Sequence, residues 1–109
     1  MNGYKILEQA LNLMGIYSIS QEVMKSGLLI INMVCEDLKL SLISSLEEKV
    51  NYKSQKELIA LTYGVAMRIS LAMSDDYLKE TFEGLYSKKL NELKNTITSV
   101  KDQIFKGEI

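Results

Sequence analysis

The stretch Ala60–Phe82, ALTYGVAMRISLAMSDDYLKETF, decides the fold because it joins an apolar helix pattern, an acidic break and the start of another helix. We predict the first of these helices to end at about Met73, with apolar residues around much of its circumference, as is typical of a central helix. Gly64 lies inside it, although glycine costs a helix about 1 kcal/mol relative to alanine. Ala60 and Gly64 are four residues apart and share a face, so we predict that they allow close packing of a neighbouring backbone. We favour a contact within the chain over one between subunits.

Two amphipathic helices are predicted upstream of this stretch. The first ends at Gly15, a residue type that commonly follows helix C-termini. Its apolar residues recur at steps of three and four and are Ile6, Leu7, Ala10, Leu11 and Met14. The second is capped by Ser20 and is predicted to end near Ile43. Its apolar face comprises Val23, Leu28, Ile31, Val34, Leu38 and Leu42.

The starts of the third and fourth helices carry polar capping residues. Residues 44–53 have no clean helical period, and we predict a partly apolar loop there with a short extended piece. Ser54 and Glu57 fit a capping box, in which the serine caps the third helical amide and the glutamate accepts from the serine amide. Ser74, Asp75 and Asp76 are each candidates to cap the fourth helix.

The fourth helix is predicted to be the longest, with one apolar seam along it. From Tyr86 to Ile104 the apolar steps are 4, 3, 4, 3 and 4, a spacing of the coiled-coil type. We expect the part from Leu93 onwards to pack on another chain, with a frayed end as the alternative. The predicted interface residues are Tyr86, Leu90, Leu93, Ile97, Val100, Ile104 and Phe105.

The four helix patterns and the chain length together predict one all-α, four-helix domain over residues 1–109, with a long C-terminal helix. The 109 residues suffice for a single domain with a modest core. Thirteen basic and fourteen acidic residues give a net charge of -1, which supplies no overall field to attract nucleic acid. Neither a secretory signal nor an apolar run of membrane-spanning length is predicted, so a cytosolic location is the simplest. The lone Cys35 is interpreted as a small buried hydrophobe.

The sequence offers little material for catalysis. It has no histidine, no phosphate-binding glycine loop and no nucleophile elbow, and it lacks the cysteine and histidine sets that bind zinc. The adjacent carboxylates Asp75 and Asp76 invite a metal or acid–base hypothesis, but helix capping explains them better. We therefore expect no enzymatic activity, no catalytic residue, no metal and no cofactor.

Five segments together resemble the small bacteriophage head–tail connector proteins, also called head completion or adaptor proteins. The segments are ILEQALNLMGI (6–16), the longer second helix, SLEEKV (45–50), ELIALTYGVAMRISLAMSDD (57–76) and YLKETFEGLYSKKLNELK (77–94). The resemblance is strongest from Leu58 to Leu93, where an apolar helix, an acidic turn and a tyrosine-bearing long helix follow one another. Its motifs are hydrophobic and structural.

This resemblance implies a subunit of a homo-oligomeric ring, typically twelve-fold, that forms beneath the portal vertex, joins the portal to the tail and extends the DNA channel. The implied partners are the portal protein and a tail or stopper protein, and DNA would pass through without sequence-specific binding. The segment of about residues 94–109 would dock on the portal, and the loop at residues 44–53 is a candidate for subunit or tail contacts. The implied location is the head–tail interface of a virion made in the host cytoplasm.

A second hypothesis comes from another class of protein. The chain could be a small cytosolic helical adaptor or regulator that dimerises through its final helix and binds one partner. A dimer would use the seam symmetrically, whereas a ring needs two different surfaces on each subunit. DNA-binding regulation is the weakest hypothesis, because the third helix carries only Lys56 and Arg68 as basic residues.

Overall fold

Four helices follow one another along the chain: α1 Gly3–Leu13, α2 Gln21–Asp37, α3 Gln55–Ala72 and α4 Asp76–Glu108. This computed structural model describes the backbone of residues 1–108 and the side chains of residues 1–94. The all-α, four-helix fold class is confirmed, and no strand occurs in the described backbone. The predicted length of the final helix depends on residues 95–109 and stays a prediction.

Helix α3 is the centre of the domain, as its apolar pattern predicts. It packs against α1, α2 and α4, and it contributes more buried residues than α1 or α2. The fully buried apolar side chains of this core come from α1, α2 and α3 itself, and they include Ile6, Leu7, Ile31, Val34, Leu61, Val65 and Ile69. The C-terminal end of α3 is less covered, because Leu71 and the following residue Met73 are exposed.

The first two predicted caps are confirmed. Ser20 Oγ accepts a hydrogen bond from the Val23 amide at 3.2 Å and so satisfies one free amide of the first turn of α2. Gly15 ends α1 with φ +80°, in the left-handed region that glycine adopts without strain. The amides of Gly15 and Ile16 donate back to carbonyls of the last turn, which closes the helix.

The capping box of α3 forms with one difference from the prediction. Ser54 Oγ accepts from the Glu57 amide at 3.2 Å, as expected. The Glu57 carboxylate, however, accepts from the amide of Lys53 at 2.6 Å and not from that of Ser54. The carboxylate therefore fixes the loop one residue further upstream, and the loop enters α3 in a defined direction.

Helix α2 ends at Asp37, so the prediction that it extends to about Ile43 is wrong. Lys39 has φ 59°, and the amides of Lys39 and Leu40 donate to the carbonyls of Glu36 and Cys35, which is a helix-terminating pattern. The chain changes direction there, and Leu42, which continues the four-residue step from Leu38, is exposed. Buried residues still recur at steps of three and four after the turn, but they belong to a loop and not to α2.

The segment after α2 covers one side of the core as an irregular loop. Four of its side chains are buried, namely Leu40, Ile43, Leu46 and Val50. Asn32 holds this loop through two hydrogen bonds, since its side-chain amide donates to the Ile43 carbonyl and its oxygen accepts from the Ile43 amide, both at 2.9 Å. The extended piece predicted within residues 44–53 is limited to one bridge between Asn2 and Lys49.

Cys35 lies on the inner face of α2 with no exposed surface. Burial raises the pKa of its thiol, because an apolar environment disfavours the thiolate. The interpretation of this residue as a small buried hydrophobe agrees with its place in the core.

Asp75 caps α4, which resolves the choice among three candidate residues. Its Oδ1 accepts from the Leu78 amide at 3.0 Å.

We expect Asp75→Ala to lower the free energy of unfolding by about 1 kcal/mol, because the amide of Leu78 loses its hydrogen-bond partner. Asp76→Ala should have a smaller effect, since Asp76 is the first helical residue and contributes through the helix dipole and the nearby charge of Lys79. Urea unfolding of both variants checks the order, and equal losses would contradict the assignment of the cap.

Candidate functional site

Three helices meet at Gly64. It is buried in α3, and a Cβ added there would lie 2.7 Å from Val34 Cγ1 of α2 and 2.8 Å from the Tyr86 ring of α4. Both distances are shorter than ordinary contacts between carbon atoms, so only glycine fits without displacing a neighbour. Ala60, one turn earlier, is also fully buried. The close approach at this face of α3 is therefore made within the chain.

A polar network joins the same three helices at the edge of the core. Asp37 Oδ2 accepts from Arg68 Nη2 at 3.1 Å and from the Tyr86 hydroxyl at 3.0 Å. The three residues belong to α2, α3 and α4 respectively. Arg68 Nε is buried and has no hydrogen-bond partner among the residues that the structure describes. The network fixes the end of α2 against the hairpin formed by α3 and α4.

The environment of Tyr86 has an electrostatic consequence. The residue is 4% exposed, and its burial, followed by its hydrogen bond to Asp37 and the negative charge of that carboxylate, raises the pKa of the hydroxyl. Ionised tyrosine is disfavoured in such a place because the charge loses water and faces a like charge.

We expect alkaline pH to destabilise the folded chain through Tyr86. The folded-state pKa is raised, so the stabilising contribution is complete below the unfolded pKa of about 10. It decreases as pH rises from there towards the folded pKa, because the unfolded state releases the proton first. Tyr86→Phe should therefore show a weaker loss of unfolding free energy above about pH 10 than the parent chain. Urea unfolding at several alkaline pH values checks this, and identical pH slopes for the two chains would contradict it.

The predicted seam of α4 begins inside the domain and becomes less buried along the helix up to Leu93. Phe82 and Tyr86 are buried against α3, with the Phe82 ring 6.3 Å from that of Tyr63. Leu90 is half-buried against the core, and Leu93 is half-buried further along. The remaining predicted interface residues Ile97, Val100, Ile104 and Phe105 lie outside the described side chains.

A groove of about 470 Å³ lies where the end of α2, the start of α3 and the middle of α4 meet. Its apolar side chains are Leu38, Leu90 and Leu93. Four lysines and two carboxylates also line it, and these are Lys39, Lys53, Lys56, Lys94, Asp37 and Glu57. Asp37 is bound by Arg68 and Tyr86, and Glu57 accepts from the Lys53 amide. We call this surface the lysine groove, and its charge is positive.

The other end of the hairpin carries an acidic and apolar surface. Leu71, Met73 and Tyr77 are exposed there, Tyr77 by 79%. Three carboxylates lie within the same ten residues, namely Asp75, Asp76 and Glu80. We call the surface formed by these six residues the acidic corner. Sequence reasoning noted its carboxylates, but it did not connect them with the exposed apolar residues beside them.

No group of three or more histidine, cysteine, aspartate or glutamate side chains able to hold a metal ion occurs within residues 1–94. The polar network around Asp37 connects three helices, and Asp37 also lines the lysine groove. The surfaces that stand out are the lysine groove, the acidic corner and the half-covered seam, and all three are suited to contact with protein.

Comparison of the chain with protein-family models, curated proteins and solved structures finds no match in any of the three. Across the part of the chain that the structure describes, no helix is both long enough and apolar enough to cross a membrane. A functional proposal therefore depends on the fold, the lysine groove, the acidic corner and the half-covered seam.

Proposed function

We propose that this chain is a structural subunit of a bacteriophage head–tail connector, which joins the portal to the tail by protein contacts and extends the DNA channel. The observation that carries the proposal is the seam of α4, which changes from buried at Phe82 and Tyr86 to half-covered at Leu90 and Leu93. A partner that packs on the half-covered end would complete a core that the small domain leaves open.

The resemblance of residues 6–94 to connector proteins supports this proposal over other roles for a small helical domain. The two differently charged ends of the α3–α4 hairpin also support it, because a ring subunit needs two unlike surfaces to contact its two neighbours. In this function the portal protein takes the C-terminal segment and a tail or stopper protein takes the opposite face of the ring. The chain acts without catalysis and without a cofactor.

Light scattering tests the proposal directly. The mass of the purified chain is measured alone and then after mixing with the portal protein encoded in the same genome. We expect a complex with many copies of the chain on each portal. A stable dimer that ignores the portal would overturn the proposal and favour the small dimeric adaptor.

A pair of matched variants tests the role of the seam. Ile97→Asp together with Val100→Asp places two charges on the predicted seam, whereas Thr96→Asp together with Ser99→Asp places them beside it. We expect the first variant to weaken portal binding about tenfold or more and the second to leave it close to that of the parent chain. Equal portal binding by the two variants would contradict docking through this segment.

A further inference from the structure

The lysine groove and the acidic corner match each other in both charge and polarity. The groove combines the apolar residues Leu38, Leu90 and Leu93 with four lysines. The corner combines three exposed apolar side chains with three carboxylates. Apolar contact in the centre and opposite charges at the edge are the arrangement found in specific protein interfaces.

These two surfaces cannot meet within one molecule. α3 and α4 are joined by a short turn and run side by side, so the corner lies at the turn and the groove lies at the other end of the pair. From Asp76 to Leu90 the rise of a helix amounts to about 21 Å. A contact between the groove and the corner therefore requires two molecules.

The charges available at each surface favour this contact. Of the carboxylates in the groove, Asp37 is paired with the cation of Arg68, and the negative charge of Glu57 is outnumbered by the four lysines, so the groove attracts an acidic surface. At the corner, Lys79 is paired with Glu83 at 2.6 Å and also lies near Asp76 and Glu80, so a single cation faces several carboxylates and the local charge stays negative. Opposite charges of this kind steer association and fix its orientation.

We propose that the lysine groove receives the acidic corner of a second copy of this chain. Because the proposed function requires copies of the chain to form a ring, the inference rests on it and names the two surfaces that meet. In a ring each copy gives its corner to one neighbour and its groove to the other. Tyr77 and Leu71 would then pack on Leu90 and Leu93, and Asp76 and Glu80 would face the lysines.

Reciprocal charge reversal tests the proposal in the full-length chain. The groove variant carries Lys53→Glu and Lys56→Glu, and the corner variant carries Asp76→Lys and Glu80→Lys; all four side chains are exposed. We expect each variant alone to self-associate about tenfold or more weakly than the parent chain in sedimentation equilibrium. We expect an equimolar mixture of the two to regain association, because each acidic groove then meets a basic corner.

Matched controls separate a local effect from a change in net charge. Lys5→Glu with Lys25→Glu changes the charge as the groove variant does, and Glu8→Lys with Glu22→Lys changes it as the corner variant does, at exposed positions on α1 and α2. Both controls should associate like the parent chain. Circular dichroism of every variant checks that the helices are retained, and the recovery in the mixture shows that both variants still fold.

The outcomes distinguish this inference from the connector proposal. Three outcomes would overturn the inference: unchanged association in either variant, no recovery of association in the mixture, or a parent chain that stays monomeric at millimolar concentration. Portal binding could still be observed in each of these cases. Recovery in a mixture that forms only dimers would support the contact between groove and corner while contradicting a ring. Recovery of association in a mixture that forms larger assemblies would support both the contact between groove and corner and the connector ring.

Discussion

Gly64→Leu should lower the free energy of unfolding by about 3 kcal/mol or more, the largest loss that we expect from a single substitution in this chain. A Cβ at this position already lies within 2.7 Å of Val34 and 2.8 Å of Tyr86, and both of these side chains are buried. The remaining leucine atoms would have to displace α2 or α4 from α3. A small domain has a total stability of only about 5–15 kcal/mol, so this loss is a large share of it.

Alanine at two glycine positions gives the matched comparison. Gly84 lies on the exposed side of α4, and an added Cβ there meets nothing within 4 Å. Gly84→Ala should therefore stabilise the chain by about 1 kcal/mol through helix propensity alone. Gly64→Ala has the same intrinsic benefit, but crowding should outweigh it and give a net loss of about 1 kcal/mol. Thermal and urea unfolding measure both, and equal stabilisation by the two substitutions would refute close packing at Gly64.

Asn32→Ala should lower the free energy of unfolding by about 2–4 kcal/mol, the second large effect that we expect. The side chain of Asn32 pairs with both the amide and the carbonyl of Ile43, and Ile43 is only 5% exposed. Without Asn32 both backbone groups lose their partner in a place where water reaches them poorly. Each such group costs about 1–3 kcal/mol when it is left unpaired.

Hydrogen exchange distinguishes this explanation from a general loss of stability. The amide of Ile43 should exchange much faster in Asn32→Ala, whereas amides in the middle of α3 should change only as much as global stability does. Asn12→Ala is the matched control, because Asn12 is exposed on α1, and it should change stability by no more than about 0.5 kcal/mol. An unchanged exchange rate at Ile43 would show that Asn32 does not hold the loop.

The features that the sequence predicts well are those that depend on neighbouring residues. The caps at Ser20 and Ser54 and the terminating Gly15 are confirmed, because each acts on amides or carbonyls within a few residues. The central position of α3 is predictable too, since apolar residues on all sides of a helix require packing partners on all sides.

The features that the sequence does not reveal are those that depend on distant residues or on unusual backbone angles. Lys39 ends α2 with a positive φ that a lysine seldom adopts, while the step from Leu38 to Leu42 continues the helical pattern. The network of Asp37, Arg68 and Tyr86 joins residues up to 49 positions apart. Similarly, the lysine groove collects its charges from three separate segments, so no local pattern indicates it.

The burial of Cys35 allows the opening of the core to be measured by thiol labelling. It is the only thiol in the sequence and has no exposed surface, so a thiol reagent reaches it only when the core opens. Its rate of labelling under native conditions then measures how often α2 separates from α3, with no need for a fluorophore or an engineered residue. The labelling rate of Cys35 would decrease if assembly or portal binding stabilises the folded subunit. A buried side chain would then report on binding at the surface of the protein.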